Sequence, residues 1–376
     1  MKKIIAILLI LVLVVGTSVA CTKPAGETNG NTNEGTAAGD DIGVVLIVNT
    51  NLGDKSFCDL SNAGLIKAAK DLGVRTKVVE LGGDATKQIP TFTEFAEDPE
   101  WDIIISGTYN VKESLQTVAE QYPDKKFILY DAKADYDDLD LPNVYSVEHK
   151  QNEGSFLVGA AAAMLTTSGR AGTNDKNIIG FVAGGENTSI NDFMVGYIQG
   201  AQSVDENIKV LISYIGDFKD SAKGKEMALA QINQGADVVF AVAGGAGLGV
   251  LDAAKEKGVY SIGVDKDQAV TFEESNPELA KTIATSMVKK VDMTVYNAIK
   301  GAVEGTLPFG KYEAVGLAAG SVGAAKNKYY DEIFTTDQKA KISELEKKIT
   351  SGEIKVQTAI GMDNTETQRI KDSVRP

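Results

Sequence analysis

The chain has 376 residues, 43% of them apolar, which suggests two domains with substantial cores. Its 52 acidic against 38 basic side chains give a net charge of −14, which argues against a nucleic-acid binder that would need a basic face. One histidine and two cysteines exclude a His/Cys-rich zinc site and a disulfide framework, and leave any His-dependent catalysis only His149 to use.

Lys2 and Lys3 open a positive segment, and Ile4 to Val15 form an apolar run of 12 residues, too short to span a bilayer. Gly16 to Ala20 then supply the small residues of a cleavage site, so 1–20 is predicted to be a signal peptide. Cys21 follows directly, and the stretch resembles the lipobox of bacterial lipoproteins, whose cysteine is acylated and becomes the mature N-terminus. Ser18 departs from the aliphatic residue usual there, and a secretory signal that merely ends near a cysteine is the plainer alternative. Two acyl chains would anchor the protein stably to the outer face of a membrane. Residues 22–41, rich in Gly, Asn, Thr and Glu, cannot bury enough apolar surface to order themselves, and 21–41 is read as the anchor and a flexible linker.

Strand and helix patterns alternate from Gly43 onward. Gly43 to Asn49 is a nearly continuous apolar run, the mark of a strand buried on both faces of a parallel sheet. Phe57 to Leu72 has helical spacing, followed by a strand at Arg75 to Glu80 and a short helix near Pro90. Asp102 to Ser106, Val111 to Gln121 and Lys126 to Asp131 read as strand, helix and strand. A second series starts with the helix Gly154 to Leu165. It runs through Asn177 to Ala183, Asn191 to Ser203, Ile208 to Ile215, Ala222 to Gln234, Ala236 to Val242, Gly247 to Lys257 and Val259 to Asp265. Such alternation means βαβ units, and two series imply an α/β protein of two doubly wound lobes. The expected division is 42–148 for one lobe with part of 285–320, and 149–284 for the other with part of 320–376. Near the C-terminus, Thr336 to Ile349 is an amphipathic helix with Ile342, Leu345 and Ile349 on one face, read as a surface helix packed on a lobe.

Ligands of doubly wound sheets bind beyond the carboxyl ends of the strands, and two facing lobes put that crevice between them. The informative residues fall there: Asn51 to Phe57, Tyr130-Asp131, Ala243 to Gly249 and Val264 to Gln268. Carboxylates, glycine-lined backbone donors and an aromatic suit a polar, uncharged ligand with a flat ring. Each residue has a plainer role to weigh. Gly245-Ala-Gly247-Leu-Gly249 lacks the spacing of a dinucleotide fingerprint. Asp54 and Ser56 can cap the following helix, and Phe57 can belong to its core. Asp131 ends an apolar strand, where a buried carboxylate needs a partner; Asp265 is similar, with Asp267 available to cap a turn. Cys58 reads as a small buried thiol, and His149 as a solvated loop residue.

Six ordered blocks then carry a family resemblance. Asp54-Lys-Ser-Phe57, Glu153-Gly-Ser-Phe-Leu-Val-Gly159 and Gly180-Phe-Val-Ala-Gly-Gly185 resemble signature stretches of the basic membrane protein family. So do Ala222-Lys-Gly-Lys225, Ala243-Gly-Gly-Ala-Gly247 and Ile262-Gly-Val-Asp-Lys-Asp-Gln268, with similarity from about Val44 to Lys300. These are substrate-binding lipoproteins of ABC transporters that include purine nucleoside receptors of the PnrA type. The resemblance implies a class I periplasmic-binding-protein fold with a hinge, no catalysis, no cofactor and no metal, and ABC permease subunits as partners. The ligand it implies is adenosine, guanosine or inosine.

Position by position, it implies that Phe57 stacks on the purine, Asp131 takes hydrogen bonds from the base edge, and Asp265 and Lys289 contact the ribose. Ser56 and Gly244 would line the pocket, and Asn51 would bond hydroxyls. A second aromatic would complete a sandwich, with Phe218, just past a strand end, favoured slightly over Phe240, within a strand. Two departures fall in this pocket: Cys58 stands where the family usually has Asn, and Asn49-Thr50-Asn51 replaces a loop that often carries Asp. They bear on which ligand is preferred. Closure is expected about crossovers near Tyr145 to Lys150 and Thr282 to Ser286. Two other readings remain: a receptor of the same fold for a sugar or signalling ligand, and an exported nucleoside-processing enzyme. The latter would need more than the Asp265 and Asp267 pair to hold a metal.

Overall fold

The computed structural model describes residues 42–376, so the signal, the Cys21 anchor and the linker lie outside the described residues. The chain alternates as expected: β1 (Gly43–Val48), α1 (Phe57–Leu72), β2 (Arg75–Glu80), α2 (Gln88–Glu97), β3 (Ile103–Gly107), α3 (Tyr109–Gln121), β4 (Lys126–Tyr130) and β5 (Val144–His149). A second run follows: α4 (Gln151–Thr166), β6 (Ile178–Ala183), α5 (Thr188–Gln202), β7 (Lys209–Tyr214), α6 (Ser221–Gln234), β8 (Ala236–Val242), α7 (Gly247–Lys257) and β9 (Tyr260–Asp265). Then come α8 (Gln268–Phe272), α9 (Pro277–Ala280), β10 (Ile283–Lys289), α10 (Val291–Val303), β11 (Tyr312–Val315), β12 (Val322–Ala324), α11 (Lys328–Ile333), α12 (Thr336–Thr350) and α13 (Asn364–Ser373).

The strands form two six-stranded sheets of the same topology, β11-β5-β4-β3-β1-β2 and β12-β10-β9-β8-β6-β7, parallel except for the short edge strand β12. Each sheet is covered on both faces, which is why β1, β3, β6 and β8 are buried along their whole length. The edge strand β2 alternates between exposed and half-buried residues. The α12 helix carries a capping box between Thr335 and Gln338 and buries Ile342, Leu345 and Ile349 on the core beside α4, as its pattern predicts.

Helices α4 and α5 meet at backbone distance. A Cβ on Gly159 would lie 2.1 Å from the Tyr197 carbonyl oxygen, one on Gly196 2.1 Å from that of Asn152, and one on Gly200 2.0 Å from that of Phe156. Only glycine permits that approach. It fixes α5, whose first turns face the cleft described below, against the helix that follows the first crossover.

The chain passes from the first sheet to the second after His149, returns after Lys289, and passes again between Val315 and Val322. The first expected crossover is met at its far end, Lys150, since Tyr145 to His149 is strand β5 itself; the second is displaced, because 283–286 belongs to strand β10 and the chain crosses only after Lys289. The crossing strands hold one another. The Lys150 amide donates to the Val315 carbonyl at 2.8 Å, the Lys290 amide to that of Ser321 at 2.9 Å, and the Leu317 amide to the Glu153 carboxylate at 2.8 Å.

Candidate ligand-binding cleft

The carboxyl ends of both sheets open onto one cleft of about 850 Å3, counted out to its open mouth. Three side chains at its floor have left-handed backbone: Thr108 after β3 (φ 85°), Asp131 after β4 (φ 58°) and Asp265 at the end of β9 (φ 65°). Such conformations cost of order 1–3 kcal/mol each and cluster where function requires them. The strands β4 and β9 hold the same place in the two sheets, so each lobe offers one carboxylate from an equivalent position.

Asp131 is held by an ion pair. Lys289 Nζ, at the end of β10, donates to Asp131 Oδ1 at 2.9 Å and Oδ2 at 3.0 Å, with both residues buried. His149 Nδ1 lies 3.3 Å from Oδ1, and its Nε2 is 2.9 Å from Thr294 Oγ1 on α10. Burial drives the Asp131 carboxyl up, but Lys289 and His149 outweigh it and hold the group below its ordinary value. Burial lowers His149, against the pull of Asp131, so the imidazole is neutral and supports the carboxylate through a hydrogen bond. His149 is thus no solvated loop residue: it is fully buried at the end of β5, in the place that Lys289 has in β10.

Asp265 lies across from this pair. Ser56 Oγ donates to its Oδ2 at 2.5 Å. Burial raises the Asp265 carboxyl to about 6, moderated by Lys289 and Ser56. Ser56 is fully buried and supports Asp265 without itself lining the cleft. Capping of α1 falls to Asp54, whose carboxylate accepts from the amides of Ser56, Cys58 and Asp59. Asp267 caps α8 and accepts from Asn327.

Phe57, at the first position of α1, lines the cleft and stacks on the buried Tyr130 ring at 5.6 Å between centroids. Tyr130 fits because Gly107 on the neighbouring strand has no Cβ; one there would lie 2.4 Å from the ring. Phe218, in the loop after β7, lines the other wall, in space left by Gly184, whose Cβ would come within 2.3 Å of its ring. Phe240 does not reach the cleft: it is fully buried in the core among Phe181, Phe193 and Tyr197. Its place is taken by Phe193 of α5, which the sequence pattern did not single out. Phe193 lines the cleft, with Lys289 Nζ 5.0 Å from its ring and 5.0 Å from that of Phe57.

Asn51 also lies outside the cleft. It is exposed and turns its amide to Glu80 at 3.2 Å, while its neighbours Asn49 and Thr50 line the wall. Gly244 lines the cleft with left-handed backbone, φ 53°. Cys58 lines it too, its thiol 3.2 Å from Thr50 Oγ1 and pushed up to about 12 by burial and Asp54, so it is a neutral thiol and not a nucleophile. The start of α5 adds Asn187 and Ser189, with Asn187 capping the helix through the Ile190 amide at 3.0 Å. Its legible signal was the cap, an Asn before Thr188-Ser189.

Across the mouth, Lys219 Nζ donates to the Gly82 carbonyl at 2.7 Å, joining the loop beside Phe218 to the loop after β2. Together with the Asp131–Lys289 and Ser56–Asp265 bonds, it bridges the lobes from floor to rim.

Two matched α/β lobes, joined by crossing strands and meeting at a cleft with buried polar groups and aromatic walls, define a solute receptor of the periplasmic-binding-protein type. The family model described as "ABC transporter substrate-binding protein PnrA-like" matches residues 42–359, and the chain belongs to that family. It is 30% identical over 336 residues to the CD4+ T-cell-stimulating antigen of Listeria monocytogenes, covering 84% of this chain and 88% of that one. It is 28% identical to the ABC transporter nucleoside-binding protein BmpA of Lactococcus lactis, covering 93% and 98%. Among solved structures, an ABC transporter solute-binding protein of Aeropyrum pernix superposes with a TM-score of 0.79 at 27% identity, over 88% of this chain and 98% of that one. The two-lobed fold and the family expected from the sequence are both observed, and the protein is a substrate-binding component of an ABC transporter. Among the described residues, no helix is long and apolar enough to cross a membrane.

Proposed function

We propose that the protein captures purine nucleosides outside the cell, as a lipoprotein anchored through Cys21, and delivers them to ABC permease subunits without chemically changing them. The observation that carries this reading is the pair of buried carboxylates, Asp131 and Asp265, offered by opposite lobes to a cleft walled by Phe57, Phe193 and Phe218. A nucleoside has a flat apolar face for the rings, N–H groups for one carboxylate and vicinal hydroxyls for the other. The name of the Lactococcus relative points the same way. Adenosine, guanosine or inosine at about 100 times its dissociation constant should stabilise the native protein by about 2.7 kcal/mol in a thermal-shift assay. Phe57→Ala should weaken binding by roughly 10- to 100-fold, as truncation of a stacking aromatic does. A response to sugars but to no nucleoside would replace this reading with that of a sugar receptor.

The pH dependence follows from Asp265. An ionised carboxylate accepts from two ligand hydroxyls, and a protonated one accepts less well. The free protein's carboxyl is raised to about 6, so affinity should be full above that pH and fall as pH drops through it, by up to about tenfold per unit. Titration calorimetry across pH 4.5–8 should show the step, and Asp265→Asn should bind weakly and without it.

A further inference from the structure

Thr108 departs from the behaviour of a helix-capping residue in three ways. It holds the N-cap position of α3, yet its hydroxyl accepts from no amide of the first turn. Its φ of 85° is a genuine outlier for a β-branched side chain, where glycine is the ordinary occupant. Its hydroxyl oxygen is buried and has no hydrogen-bond partner, which leaves the desolvation of that group uncompensated. A conformational cost and an unmet polar group thus coincide on one residue, and that residue lines the ligand cleft.

Its neighbour supplies the chemistry. The register pairs Gly107 with Tyr130, and the Thr108 amide donates to the Tyr130 carbonyl at 2.9 Å, so Thr108 and Asp131 are the next residues of adjacent strands. Both have left-handed backbone and both line the cleft. Asp131, ionised beside Lys289, can only accept hydrogen bonds. The six-membered edge of a 6-oxopurine alternates, with an N–H beside a carbonyl oxygen, so a site built from carboxylate alone would leave that oxygen unpaired. A hydroxyl next to the carboxylate completes the match.

We propose that Thr108 is a specificity-determining ligand contact, donating its hydroxyl to the carbonyl oxygen of a 6-oxopurine while Asp131 accepts from the adjoining N–H; this rests on the nucleoside reading above. The test measures dissociation constants of inosine and of purine riboside, which lacks both the 6-oxygen and the N1–H, for the wild type, Thr108→Val and Thr108→Ser. Melting temperatures of the ligand-free proteins are measured alongside. Thr108→Val should bind inosine at least tenfold more weakly, Thr108→Ser within about threefold of wild type, and purine riboside should not distinguish Val from Thr. The ligand-free Val variant should melt no lower than wild type, because the hydroxyl it loses bonds nothing in the free protein.

Equal inosine affinity in the Val variant and the wild type overturns the contact while leaving the nucleoside reading intact. An equal loss for inosine and purine riboside overturns its assignment to the base edge. A lower melting temperature for ligand-free Thr108→Val shows a structural partner for the hydroxyl and overturns the proposal. A wild type that binds no nucleoside overturns the nucleoside reading and this proposal together.

Discussion

Replacing Lys289 by Met should cost about 3–5 kcal/mol of stability at pH 7, the usual loss when one partner of a buried ion pair is removed and the other charge stays. Lys289 and Asp131 are 2% and 4% exposed, so water cannot take over the role of the missing ammonium. The sign of the pH dependence is diagnostic. In the wild type, Lys289 holds the Asp131 carboxyl below its ordinary value, so that contribution is present above the unfolded value and lost as pH falls. Without Lys289, burial is the largest influence left and the Asp131 carboxyl rises. The native state then holds a proton that the unfolded chain has released, and the variant gains stability as pH falls. His149, 3.3 Å from the same carboxylate, can also accept a proton once the repelling ammonium is gone, which acts in the same direction. Urea unfolding at pH 7 and pH 5 should therefore show the gap between wild type and Lys289→Met narrowing at the lower pH. A gap that is constant or widens would refute the pair's role.

Gly200→Ala should destabilise the protein by about 2 kcal/mol or more, although alanine is ordinarily favoured over glycine inside a helix by about 1 kcal/mol. The added methyl would lie 2.0 Å from the Phe156 carbonyl oxygen, a backbone atom that no rotamer change can move aside, so α4 and α5 must separate by more than an ångström. Gly301→Ala is the control. It lies in α10, its Cβ would meet Leu307 no closer than 3.4 Å, and it should be neutral or stabilising. Because α5 brings Asn187, Ser189 and Phe193 to the cleft, Gly200→Ala should also weaken ligand binding, whereas Gly301→Ala should not. Denaturant titration and calorimetry of both variants separate the two expectations.

The strands buried on both faces were legible because their apolar runs carry no competing signal, and α1, β2, β8 and α7 have the limits their patterns suggested. Asp131 and Asp265 were legible for the opposite reason, as charged residues directly after apolar strands. Polar residues inside a buried strand were not legible. His149 lies just past Val144 to Val147, which reads as strand, and it looks like the loop beyond that run until its partner Thr294, and the Glu148 partners Tyr109 and Tyr312, are brought in from distant helices and strands. Phe193 and Phe240 are both aromatics in regular elements, and only the packing of α5 on the second sheet decides which one reaches the cleft. The Asn49-Thr50-Asn51 turn shows the same limit at finer grain, since no periodicity says which of three consecutive polar residues faces inward.

The side-by-side crossing strands act as the spine of a book. They leave at the ends of β5 and β10, next to the edge strands β11 and β12, while Gly82 and Lys219 follow β2 and β7 at the far edge of each sheet. At about 4.8 Å per strand, the spine and the fore-edge are roughly 19 Å apart, and Asp131 is only one strand, about 5 Å, from the spine. Turning the covers by about 10° then moves the fore-edge by roughly 3 Å, enough to part Lys219 from Gly82, but shifts Asp131 by less than 1 Å. The receptor can therefore unlatch and exchange solvent at its rim with the Asp131–Lys289 pair still joined. An arriving ligand would meet that pair already joined and need only close the cover over itself.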